Sequence, residues 1–151
     1  MYSHLFKHVT SSTNIRSIMK SGLNAHTCFS GNDELSEYYA ETIEDEDAIP
    51  VTLVVEVASL DKNLLLPDIN GIEEPIMTIV RGISNCRDEE ALYDAWMDST
   101  QDWVASLNLI GSIVYGGTVD PLLIQVLDPN TGDLKPLISI EPEADEISPT
   151  P

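Results

Sequence analysis

LFKHVTSSTNIRSIMKSGL, residues 5–23, changes its hydrophobic period part-way along, and the rest of the chain is read outward from it. Leu5, Phe6, His8 and Val9 read as a short strand, and Thr10 to Thr13 as a hydroxyl-rich turn. Asn14 to Lys20 then reads as a helix, because Ile15, Ile18 and Met19 recur at i, i+3 and i+4 and form one apolar stripe. Ser11, Ser12 and Thr13 are candidate caps, and Gly22 stands where a helix closes in a left-handed conformation. His8 and Thr10 thus end a strand just before a helix N-terminus, where free N–H groups favour a phosphate-bearing ligand. An ordinary strand–turn–helix, with His8 bonded to a backbone carbonyl, has the same sequence pattern.

The chain has 151 residues, 42% of them hydrophobic, which suits one domain with a substantial core. Twenty-six Asp and Glu face seven Lys and Arg, a net charge of −19. Phosphate contact is driven by Lys and Arg releasing counterions, so neither direct nucleic-acid binding nor an anionic membrane surface is expected. A basic protein partner is expected instead, since complementary fields steer association, with plain solubility or a high-salt cytoplasm as the simpler account. No apolar run reaches the roughly 20 residues that span a bilayer, and the N-terminus lacks a signal-peptide core, so a cytoplasmic protein is expected. Cys28 and Cys86 are far apart, and His4, His8 and His26 lack ligand spacing, so neither a disulfide nor a metal site is expected.

Thr27 to Ser30 reads as a second strand, Gly31-Asn32-Asp33 as a turn and cap, and about Glu34 to Thr42 as a helix with Leu35, Tyr38 and Tyr39 facing inward. VTLVVEV, residues 51–57, is β-branched and nearly continuously apolar, which predicts a central strand covered on both faces. Residues 63–66 form another apolar stretch, 68–74 a loop, and 76–83 a strand or a helix that periodicity does not decide. The longest helical pattern covers 88–107, with Leu92, Ala95, Trp96, Trp103 and Leu107 on its buried side and a break near Ser99-Thr100. Along it Glu90, Asp94, Asp98 and Asp102 recur every four residues, a row suited to a basic partner or to solvent. Strands follow at 110–115 and, after a turn at Asp120-Pro121, up to Leu127; DPNTG at 128–132 is a further turn. The domain is expected over 1–138, with an acidic, proline-containing tail of disordered composition over 139–151.

LFKHVT, the helix closed by Gly22-Leu23, CFSGNDELSEYYAE, the long apolar strand, IVYGG and DPLLI occur in an order that resembles the ADP-ribosyltransferase fold. That is the α/β, split-sheet domain of poly(ADP-ribose) polymerase-type and diphtheria-toxin-type enzymes. RNA 2′-phosphotransferases and small phage and toxin–antitoxin transferases share it. The resemblance covers residues 5–127 and implies two small, mostly antiparallel sheets with flanking helices in a single domain. It also implies NAD as the substrate, with His8 and Thr10 gripping its nicotinamide-side ribose and amide. Phe29, Ser30, Ser36 and Tyr38 or Tyr39 match the second motif, which makes Tyr38 a catalytic candidate beside His8 and makes the others NAD contacts. Cys28 stands where the polymerase-type enzymes place a stacking Tyr, and Gly111 or Ser112 where the family places its catalytic Glu.

Cleaving the N-glycosidic bond of NAD needs little acid–base chemistry, because nicotinamide is already a cationic leaving group. Orientation and negative charge near the developing ribosyl cation are what help. Asp120 is the candidate carboxylate, with Glu41 and Glu44 behind it. Arg16 is the candidate for the pyrophosphate, among few bases that include Lys7, Lys20, Arg81 and Arg87. There is no phosphate-cradling Gly-rich loop, no HExxH pair and no nucleophile elbow. The readings left open are an NAD-dependent ADP-ribosyltransferase acting on a protein or nucleic-acid target, such as a phage or toxin-type effector, and a non-catalytic acidic protein of the same fold that inhibits a basic partner. RNA 2′-phosphate transfer is a third.

Overall fold

Seven antiparallel strands join in one sheet in the computed structural model, which describes residues 5–74, 79 and 84–140. The strands are β1 (Leu5–Ser11), β2 (Thr27–Ser30), β3 (Pro50–Glu56), β4 (Leu65–Pro67), β5 (Ser112–Tyr115), β6 (Ile124–Leu127) and β7 (Leu134–Pro136), in the order β4-β5-β2-β1-β3-β6-β7. The helices are α1 (Ile15–Ser21), α2 (Asp33–Asp45), α3 (Ile69–Glu73), α4 (Glu89–Met97) and α5 (Trp103–Ile110). The tail beyond residue 140 and, except for Ile79, the ambiguous stretch 76–83 lie outside the described residues.

The mixed α/β class and the single domain are as expected, but the two sheets are one. Their junction is thin: β1 pairs with β3 over seven register positions and with β2 at Lys7↔Ser30 alone. One hydrogen-bonded step is enough to make the sheet continuous, and beyond it the strands part. β3 is central, between β1 and β6, and its consecutive Leu53, Val54 and Val55 are all fully buried. Because successive strand residues point to opposite faces, that run requires cover on both sides.

Register sorts the side chains. Phe6, His8 and Thr10 share a face with Leu53 and Val55, and Phe29 lies there too, stacked on Phe6 with ring centroids 6.2 Å apart. Ile15 and Ile18 of α1 join this main core, together with Ile113 and Tyr115 of β5. The opposite face carries Lys7, Val9, Val54, Cys28, Ser30 and Ser112. There α2 packs across β1 and β3, capped by Asn32 Oδ1, which accepts from the N–H groups of Glu34 and Leu35.

Three segments differ from expectation. The 88–107 pattern divides: α4 ends at Met97, Gln101 takes φ 57°, and Asp102 restarts the chain by capping Ala105 N–H. Residues 69–73 are helical because Asp68 caps Gly71 N–H, although Asn70 and Gly71 made the stretch look like a loop. Ile110 closes α5 instead of opening a strand, since Gly111 turns left-handed at φ 78° before β5 begins. The short β7, with a proline at its end, had no readable signal.

Candidate functional site

The parting of β1 from β2 is the place where sequence and geometry converge. In continued register Val9 would stand opposite Cys28, and no pair forms there. Ser12 N–H bonds to Ile49 O at 2.8 Å in the β1–β3 register, so even-numbered residues of β1 bond toward β3. Alternation then directs the N–H and C=O of Val9 into the parting. His8 bridges the gap with its side chain, Nδ1 lying 2.9 Å from the carbonyl oxygen of Cys28.

That contact fixes the chemistry of the ring. A carbonyl only accepts, so Nδ1 carries the hydrogen and Nε2 is left as an acceptor. Burial lowers the His8 pKa below its ordinary 6.5, outweighing the carbonyl bond that raises it, so the ring is neutral at physiological pH. The edge of Phe29 supports it, with ring centroids 6.0 Å apart.

Beside His8 a hollow of about 270 Å³ is lined by Thr10, Asn14, Ser17, Ser21 and Thr27, among others, and by no carboxylate among the described residues. In a chain of 26 acidic residues, a polar hollow lined with hydroxyls and amides and free of like charge is where an anionic ligand is least opposed. Asn14 Nδ2 donates to Thr10 Oγ1 at 2.9 Å, tying the end of β1 to the head of α1. The expected anion seat at the helix N-terminus is weaker than the sequence implied. Ser11 Oγ already accepts Thr13 N–H, and α1 has only seven residues.

The other sequence candidates fall into two groups. Phe29 is 1% exposed and belongs to the core. Ser30 and Ser36 are buried and satisfied locally: Ser36 Oγ donates to Ser30 Oγ at 3.2 Å, and Ser30 Oγ donates to Asn32 O at 2.6 Å. They fasten α2 to β2. Tyr38 and Tyr39 lie side by side with ring centroids 5.5 Å apart, but Tyr39 is exposed and does not face inward. Its hydroxyl is pushed up to about 12 by partial burial and then by the charges of Cys28, Asp68 and Tyr38, so it looks toward the β2 side of the parting.

Arg16 is exposed on α1 and does not line the hollow. Lys7 is held by Asp33 at 2.7 Å. Asp120 is an exposed cap that accepts from Leu122 N–H at 2.9 Å, and Glu41 and Glu44 are exposed on α2. The acidic row is not one face of one helix: Glu90 and Asp94 are on α4, Asp98 ends it, and Asp102 begins α5.

No protein-family model matches this chain, and no curated protein or solved structure does. Among the described residues no group of three or more His, Cys, Asp or Glu is arranged to hold a metal, and no helix is long and apolar enough to cross a membrane.

The Glu position of the resemblance is settled within the strand. Gly111 has φ 78°, and a Cβ there would lie 2.8 Å from Asn32 Cβ, so no glutamate fits. Ser112 is buried, and its Oγ donates to Asp68 Oδ2 at 2.7 Å. Asp68 was missed by sequence reasoning. The pattern Asp68-x-x-Gly71 could have marked it as a helix cap, but nothing local shows a partner 44 residues away. A larger hollow of about 600 Å³ lies between α3 and α4, lined by Ile69, Tyr93 and Met97 among others; it contains none of the candidate residues.

Proposed function

We propose that the chain is an NAD-dependent ADP-ribosyltransferase that binds NAD where β1 and β2 part. The observation that carries this reading is the His8 ring, held neutral across the parting by Cys28 O with Nε2 left as an acceptor. Beside it, Val9 presents a backbone donor and acceptor with no strand opposite. A nicotinamide carboxamide carries one N–H₂ donor and one carbonyl acceptor, so it complements such an edge. A ribose hydroxyl can donate to His8 Nε2, and the hollow beyond, free of carboxylates, suits the pyrophosphate.

In the reaction the C1′–N bond of NAD breaks and its electron pair leaves on the nicotinamide nitrogen, which becomes neutral. Positive charge passes to the ribosyl carbon and ring oxygen. A nucleophile of the target forms the new bond to C1′ and gives its proton to water. The protein's part is orientation and preorganised charge. The net charge of −19 suits a basic protein as the target.

Thermal unfolding of the full chain with rising NAD tests the reading, alongside chromatographic detection of released nicotinamide. A ligand that binds the native state stabilises it by about 2.7 kcal/mol at 100 times its Kd. The expected result is a melting temperature that climbs with the logarithm of NAD concentration, together with nicotinamide release. Unchanged melting at millimolar NAD and no release would overturn it.

A further inference from the structure

We propose that Asp68 supplies the negative charge that steadies the developing ribosyl cation, from the start of β5; this rests on the NAD reading above. Asp68 is 8% exposed, and among the described residues no Lys, Arg or His forms an ion pair with it. Burying a carboxylate without a cation is costly, and neighbouring hydrogen bonds repay only part of that cost. Here the carboxylate is held in place by two donors, Ser112 Oγ on Oδ2 at 2.7 Å and Gly71 N–H on Oδ1 at 3.1 Å. Its own backbone is pinned as well: Asp68 N–H donates to Ser106 Oγ, whose hydroxyl donates to Ser112 O at 2.7 Å. A fixed, uncompensated negative charge is complementary to a cation that exists only in the transition state.

Position supports the assignment. Ser112 pairs with Ser30 on β2, and Ser30 pairs with Lys7 at the point where β1 and β2 part. Strand spacings of about 4.8 Å place the start of β5 roughly 10 Å from β1, on the face that carries Val9 and Cys28. The Cys28 thiol feels that charge: it is pushed up to about 11, first by burial and then by Asp68. Asp120, the sequence candidate, is bound to its own turn and exposed.

The test compares the full-length wild type, Asp68→Asn, and the exchange variant Asp68→Ser with Ser112→Asp, which moves the carboxylate onto β5. Each is assayed for NAD-induced thermal shift and for nicotinamide release with water as acceptor. Asp68→Asn should keep the NAD shift and lose turnover about 100-fold, the size of effect seen when one preorganised electrostatic group is removed. The exchange variant should recover at least about tenfold of that loss. Asp68→Asn turnover within about twofold of wild type would overturn the proposal and leave Asp68 a helix cap. Should Asp68→Asn not fold, a folded, NAD-binding exchange variant without turnover would overturn it equally. Wild type that binds NAD without releasing nicotinamide sinks the role of Asp68 alone, whereas wild type that neither binds nor cleaves NAD sinks the NAD reading and this proposal with it.

Discussion

Two substitutions at His8 separate its structural bond from its place in the site. His8→Ala removes the Nδ1–H bond to Cys28 O and the edge contact with Phe29. A net hydrogen bond is worth about 0.5–1.5 kcal/mol, and a ring contact about 0.5–1.5 kcal/mol more. Cys28 is exposed, so water can replace the lost donor and the cost stays near the lower end, about 1–2 kcal/mol. At about 2–4 °C per kcal/mol for a domain of this size, the melting temperature should fall by about 2–8 °C. His8→Asn can place Nδ2 where Nδ1 was, keeping the bond to the carbonyl while lacking an acceptor at the Nε2 position. It should melt within about 2 °C of wild type. Both variants should lose the stabilisation by NAD, measured by scanning fluorimetry across an NAD titration. If either variant keeps the full NAD shift, His8 does not hold the ligand. If His8→Asn falls as far as His8→Ala, the bridge to Cys28 is not what the ring contributes.

Gly22→Ala should cost about 3 kcal/mol or more, because Gly22 has φ 76° and a Cβ would lie 1.9 Å from Val119 O, where backbone must move; chemical denaturation checks this, and a loss under 1 kcal/mol would contradict the geometry. Because burial holds His8 neutral, the unfolded chain binds more protons below its ordinary pKa of 6.5. This contribution to stability is complete above pH 6.5 and declines as pH falls from there toward the lowered folded value, and His8→Asn should flatten that slope in urea titrations at stepped pH. With a thiol pKa near 11, Cys28 should alkylate slowly with iodoacetamide at pH 8 although it is exposed, and Asp68→Asn should speed it; Cys86→Ser provides the background, and an unchanged rate would separate Asp68 from Cys28.

What the sequence disclosed was local. Ile15, Ile18 and Met19 announced α1 by their period, and the run 51–57 announced a doubly covered strand, because both signals are complete within one element. Gly22 was legible for the same reason, as only glycine tolerates its backbone. The misread parts depended on contacts between distant residues. One register pair, Lys7 with Ser30, decides between one sheet and two, and no local pattern encodes it. The acidic row looked continuous at i, i+4 spacing, yet Asp102 serves the backbone of a new helix. Of the site, His8 and Thr10 were legible from a polar strand end before a helix. Phe29, Ser30 and Ser36 matched a motif but are spent on packing and on fastening α2. Asp68 stayed hidden because its partners, Ser106 and Ser112, come from elements 38 and 44 residues further on.

Amide chemical-shift mapping of the ¹⁵N-labelled chain during an NAD titration tests the central claim most directly. The account predicts saturable shifts centred on His8, Val9, Thr10 and Cys28, the two sides of the parting, with the far strands β6 and β7 unmoved. Shifts centred elsewhere, or none at millimolar NAD, would contradict it.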